Sequence, residues 1–103
     1  MIVTHIAREQ ITVATSVIGL DNGGTLFTDA NKAKLRYADL QVQTQQIRAT
    51  FDGTDPVRAT TGQLWNPGDI KRIWGLTNME ALEMLRESAT TSAVIVVDYW
   101  GEA

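Results

Sequence analysis

The sequence predicts an all-β protein: an antiparallel β-sandwich, jelly-roll or Ig-like, of about seven short strands with one short helical turn near residues 77–82. Three observations lead there. Ile47, Ala49 and Phe51 alternate with Arg48, Thr50 and Asp52, which is the period of a half-buried strand. The dipeptides Asp52-Gly53 and Pro67-Gly68 stop such runs, because Gly accepts positive φ, Pro presets a turn φ and Asp bonds nearby backbone. Ser92–Trp100 is a near-continuous apolar run, read as a central, well-buried strand that emerges at Asp98.

In chain order, Ile11 and Val13 alternate with Thr12 and Ala14, giving a strand over 10–16. Residues 1–8 have two readings: an earlier strand at 2–7, or an amino-terminal arm that pairs with a neighbour. Residues 19–34 are the longest irregular piece, with the turn cluster Asp21-Asn22-Gly23-Gly24, and Leu26 and Phe27 are expected to pin it to the core. A loop of that length in a compact domain is often a contact element. A strand over 35–44 puts Leu40 and Val42 inward and Asp39, Gln41 and Gln43 outward. Gln45-Gln46 reads as a tight connection or bulge into the strand at 47–52.

After the loop 53–61, a short strand at 62–65, the turn Asn66-Pro67-Gly68-Asp69 and a strand at 70–74 follow. Asp52, Gly53, Pro56, Pro67 and Gly68 are the turn-defining residues. Met79–Arg86 consists of helix formers, and Thr77 with Glu80 fits a capping box. Flanked by strands, the piece is read as one or two helical turns over 77–82 running into a strand at 83–88.

The 103 residues suit a single domain, and 44% hydrophobic with 20% charged residues is ordinary globular usage. The net charge is −3 and the nine basic residues are scattered, against a basic nucleic-acid face. There is no cysteine, hence no disulfide framework and no thiolate metal site. No apolar run reaches the roughly 20 residues of a membrane span. Met1–His5 lacks the pattern of a secretory signal, so the chain is expected to be made in a cytoplasm.

Catalytic chemistry has no sequence signal. His5 is the one histidine, and its context is that of a strand residue facing solvent or a neighbour. Gly23-Gly24 lacks the Lys-Ser/Thr of a phosphate loop. Asp52 and Asp55 flank a turn, for which an Asx turn is a better account than a hard-cation site. No enzyme activity, cofactor or metal is therefore expected. Trp65, Trp74 and Trp100 suit core edges or an interface, with a sugar-stacking platform as the competing role.

The succession Ile47-Arg48-Ala49-Thr50-Phe51-Asp52-Gly53-Thr54-Asp55-Pro56, Ala59-Thr60-Thr61-Gly62-Gln63-Leu64, Pro67-Gly68-Asp69 and Ser92–Tyr99 resembles small β-sandwich virion proteins of tailed bacteriophages. The resemblance spans about residues 9–100, and the order of the pieces carries it, since each alone is generic turn grammar. It implies a structural role: a capsid decoration (cement) or head accessory protein, homotrimeric, in the virion, bound to the major capsid protein. A neck, tail or fibre-attachment component on the same fold, or a carbohydrate-binding or adhesion module, are the alternatives. The helical Met79–Arg86 piece and the apolar amino-terminal arm depart from the pattern. The expected interface residues are Ile2, Phe27, Trp65, Trp74 and Trp100.

Overall fold

The computed structural model describes residues 2–102. Seven strands form two antiparallel sheets, in the order β1-β7-β2-β5 and β4-β3-β6. The strands are β1 (Val3–Val13), β2 (Leu35–Val42), β3 (Ile47–Thr50), β4 (Gln63–Trp65), β5 (Ile70–Trp74), β6 (Glu83–Arg86) and β7 (Ala93–Glu102). Short helical turns α1 (Leu20–Gly23) and α2 (Asp29–Lys32) lie between β1 and β2, and α3 (Leu76–Ala81) follows β5.

The connectivity separates the two candidate sandwiches. In an Ig sandwich the first two strands are neighbours and the last lies in the opposite sheet. Here β7 lies between β1 and β2. Ile18 makes an isolated antiparallel bridge with Met84 of β6, with N···O distances of 3.0 and 2.7 Å. Counted as a reduced second strand, Ile18 gives eight positions in sheets of order 1-8-3-6 and 2-7-4-5, the order of a jelly roll.

β7 holds the first sheet together. Its side chains alternate, with Ala93, Ile95, Val97, Tyr99 and Gly101 buried and Val94, Val96, Asp98, Trp100 and Glu102 on the outer face. The run is near-continuously apolar because Val94 and Val96 occupy its half-buried outer face as well. Asp98 does not mark its emergence; it lies mid-strand on the outer face, and pairing continues to Glu102.

The core fills the gap between the sheets. Ile11 and Val13 of β1, Ala38, Leu40 and Val42 of β2, Ile47 and Ala49 of β3 and Met84 of β6 meet the inner row of β7. Each fully buried aliphatic side chain contributes about 1.5–3 kcal/mol. Two residues expected at an interface belong to this core: Phe27 is 5% exposed and Trp65 1%. Phe27 packs nearly parallel to Tyr99 at 6.2 Å, and the Lys32 ammonium lies 4.6 Å from its ring centre. The loop between β1 and β2 is thus pinned as expected. The Glu9 carboxylate completes the anchor, accepting from Tyr99 Oη at 2.7 Å and Thr25 N at 2.8 Å. Burial and this carboxylate push the Tyr99 phenol up.

Residues 3–13 form one strand paired with β7 from Val3 to Val13, in place of an arm or two short strands. A bulge at Ile6 shifts the side-chain phase and obscures the alternation in the sequence. Asn66–Asp69 turns as expected, with Asp69 N on Asn66 O at 2.9 Å and Gly68 at φ +90°. It carries the chain from β4 in one sheet to β5 in the other. Pro67 is exposed there, whereas Pro56 is buried. Likewise Gln43–Gln46 crosses between sheets rather than joining paired neighbours. Asp52 makes the Asx turn, accepting from Thr54 N at 3.0 Å, a bond that lowers its carboxyl below the usual range. Gly53 follows at φ +85°.

The capping box at Thr77 and Glu80 does not form. α3 starts at Leu76 with Gly75 as N-cap, at φ +82° and without a side-chain cap. Gly75 N is held by Arg36 O at 2.9 Å, so the chain turns straight from β5 into the helix and Thr77 already lies inside it.

Gly101 is the tightest point of the first sheet. A Cβ there would sit 2.1 Å from Lys34 O, beside the bulge between Leu35 and Tyr37. Gly101→Ala is expected to destabilise the fold by about 1–3 kcal/mol, read as a lowered denaturant midpoint at unchanged slope.

Candidate docking face

The antiparallel registers order the outer face of the first sheet into rows. His5 opposes Trp100, Trp100 opposes Tyr37, and Tyr37 opposes Trp74, so one aromatic row crosses all four strands. One step along, Arg8 opposes Asp98, Asp98 opposes Asp39, and Asp39 opposes Arg72. On β1 a bulge makes this possible. His5 and Arg8 are three apart and would face opposite ways on a regular strand; the extra residue Ile6 brings them to one face. The extra residue Arg36 shifts the phase of β2 in turn, so that Leu35 faces the core opposite Gly101 while Tyr37 faces out opposite Trp100.

In the charged row each aspartate has its own arginine. Arg8 Nε meets Asp98 Oδ1 at 2.7 Å, and His5 Nε2 reaches the same oxygen at 2.8 Å. Arg72 grips Asp39 with two bonds of 2.7 and 3.0 Å. Both guanidiniums are raised, each chiefly by the hydrogen bond to its aspartate. Burial pushes the Asp98 carboxyl up, but Arg8 and His5 outweigh it and hold the group below the usual range.

In the aromatic row His5 meets Trp100 edge-on at 5.1 Å, and Tyr37 lies 6.1 Å from Trp100 and 4.7 Å from Trp74. Arg72 is the link between rows, its guanidinium 4.2 Å from the Tyr37 ring centre and 5.5 Å from that of Trp74. Trp100 is half-buried by its neighbours, and its Nε1 is buried with no hydrogen-bond partner. The face becomes open and apolar at β5, where Trp74 is 58% exposed and Ile70 64%.

Beside β5, between the edges of the two sheets, lies a cleft of about 450 Å³ lined by Phe51, Gln63, Trp65, Lys71, Ile73 and Trp74 among others. The free edges here are β5 of the first sheet and β4 of the second.

Of the residues expected at an interface, Trp74 and Trp100 share this face, Ile2 lies exposed beside the end of β1, and Phe27 and Trp65 are interior. Asp52 and Gly53 are in an exposed turn on the other side of the β3 pairing, and Glu83 lies near Asp52 and Asp55. Glu83 is raised, by burial first and then by Asp55 and Asp52. Among the described residues no three His, Cys, Asp or Glu side chains gather as a metal site. Among them His5 hydrogen-bonds Asp98. Tyr37, Asp39 and Arg72 were not singled out from sequence as site residues. Alternation in Tyr37-Ala38-Asp39-Leu40 and in Arg72-Ile73-Trp74 is the signal that places them on one face.

Compared with known proteins, the chain matches no family model, no curated protein and no solved structure.

Asp98→Asn is expected to cost about 1 kcal/mol near neutral pH, the scale of a partly exposed charge cluster. The folded carboxyl titrates below its unfolded value. Its contribution is therefore complete above the unfolded value of about 4 and disappears as pH falls through the folded value. Thermal melts of both proteins across that range should converge at low pH; a constant gap would assign the loss to packing.

Proposed function

We propose that the chain is a structural protein of a tailed-bacteriophage virion, a capsid decoration (cement) protein that binds the major capsid protein and stabilises the head. Its place would be the virion, after synthesis in the host cytoplasm, and its working form a homotrimer. The role needs no cofactor, nucleic acid, membrane or catalysis. The observation that carries this reading is the outer face of the first sheet, a pre-ordered aromatic and charged surface that opens into exposed Trp74 and Ile70 at a free sheet edge. Large exposed apolar groups rimmed by charge suit a protein surface, since aromatic and arginine side chains are enriched at contact centres. The order of sequence pieces described above supplies the phage context. Fold alone would not, because jelly rolls host capsid, lectin and enzyme functions alike.

A neck or tail component is the closest alternative, differing in which part of the particle is bound. A glycan platform is less well supported. Trp65 is interior, Trp100 is half-buried and Arg72 lies over Tyr37, which leaves Trp74 as the one tryptophan widely open to stack on a sugar.

The test is sedimentation of the purified protein alone and with heads of the encoding phage that lack it. A trimer that co-sediments at a fixed ratio and protects heads against heat or chaotrope is the expected result. A monomer that ignores heads, or one that binds isolated tails instead, would overturn the cement role.

A further inference from the structure

The free edge of β5 has its hydrogen-bonding groups set out for another strand. Val42 N bonds Asp69 O at 3.0 Å, and Gly75 N bonds Arg36 O at 2.9 Å. Between these, Leu40 opposes Lys71 and Ala38 opposes Ile73. By antiparallel alternation, Lys71 and Ile73 turn their backbone groups to β2, and Ile70, Arg72 and Trp74 turn theirs away from the sheet. Trp74 O accepts from Asn78 Nδ2 at 2.9 Å. Among the described residues nothing pairs with the outward groups of Ile70 and Arg72.

The side chains beneath that edge are specific. Lys71 and Ile73 point to the inner side and line the cleft over Phe51 and Trp65. Lys71 is half-buried, and among the described residues no carboxylate lies within salt-bridge distance of it; the same holds for Lys34, Arg58 and Arg86, but of these four only Lys71 lines this cleft. The Lys71 ammonium at this cleft is therefore available to an incoming carboxylate.

We infer that β5 is a strand-addition site for an extended protein segment of the pattern apolar-x-acidic, the acidic side chain meeting Lys71 and the apolar one covering Ile73. Running antiparallel to β5, such a segment exchanges backbone bonds with Ile70 and Arg72. Its inward side chains then fall opposite Ile73 first and Lys71 two residues later. The same edge is poorly suited to a second copy of itself. Two β5 strands related by a twofold through their middle would place Arg72 opposite Arg72, and a twofold one residue earlier would place Lys71 opposite Lys71; like charges directly opposed destabilise a pair. A short, cationic edge that rejects itself and accepts acid is selective for its partner. The inference deepens the assembly reading and rests on it for the source of the segment, a tail or loop of a neighbouring virion protein.

The test uses the isolated protein and the capped peptide Thr-Val-Thr-Glu-Thr, followed by amide NMR shifts up to millimolar peptide. Shifts centred on Ile70 and Arg72 are expected. Replacing the peptide's Glu by Lys should weaken binding about tenfold, and Lys71→Glu should reverse that preference. Ile70→Pro removes one outward N–H without touching the β2 ladder, and should abolish the shifts. If that variant does not fold, the charge reversal still decides. Absence of shifts, shifts elsewhere, or indifference to the sign at residue 71 would overturn the inference. So would peptide-free, concentration-dependent protection of β5, which would make a second copy the occupant. Because no heads are present, peptide binding by a protein that ignores heads would sink the virion assignment alone.

Discussion

The pairing of β7 with β1 on one side and β2 on the other is the constraint on which the other features depend. A strand at the middle of a sheet cannot shift without breaking two ladders at once. Its inner residues Ile95, Val97 and Tyr99 also form the floor on which the second sheet lies. A slip by one residue would exchange that row for Val96, Asp98 and Trp100 and bury a carboxylate. The inner face thereby fixes the outer one: with Tyr99 locked on Phe27 and Glu9, Asp98 and Trp100 have a single place to be.

From that register the outer face follows. The two bulges meet at Trp100: that of β1 lies opposite Tyr99 and Trp100, and that of β2 opposite Trp100 and Gly101, where the bare backbone of Gly101 lets Lys34 approach. The β1 bulge puts His5 beside Trp100 on the same face as Arg8, and regular register on β2 and β5 then aligns Tyr37 and Trp74 with Trp100, and Asp39 and Arg72 with Asp98. Opposed aspartates at the centre would repel; an arginine on each flanking strand offsets them, so the row is ordered before any partner arrives. Such a surface suits recognition by shape and charge more than the enclosure of a small ligand.

Much of the fold was legible because it is local. The alternation of Ile47 and Ala49, the Asx turn at Asp52, the Pro67-Gly68 turn and the helix-to-strand change after Ala81 are all written within a few residues of where they act. The sheet to which each strand belongs is not. The turn at Asn66–Asp69 looks like a hairpin but changes sheets, and the reduced second strand survives as Ile18 alone. The tryptophans show the same limit. Trp65 and Trp74 end the strands on either side of one turn, Trp65 next to it and Trp74 at the far end of β5, yet one closes the core and the other stands open, because alternation places Leu64 outward on β4 and Ile73 inward on β5. The site was least legible of all, since its rows join residues up to 95 positions apart, as in His5 and Trp100.

One face and one edge of an otherwise closed sandwich carry the proposed docking, and hydrogen–deuterium exchange on the protein mixed with heads tests it most directly. Slowed exchange is expected in the peptide covering Ile70–Trp74 on binding, with β7 slow in both states because it is already paired on both sides. Unchanged exchange at β5 in bound protein, or protection confined to the β4–β3–β6 sheet, would contradict it.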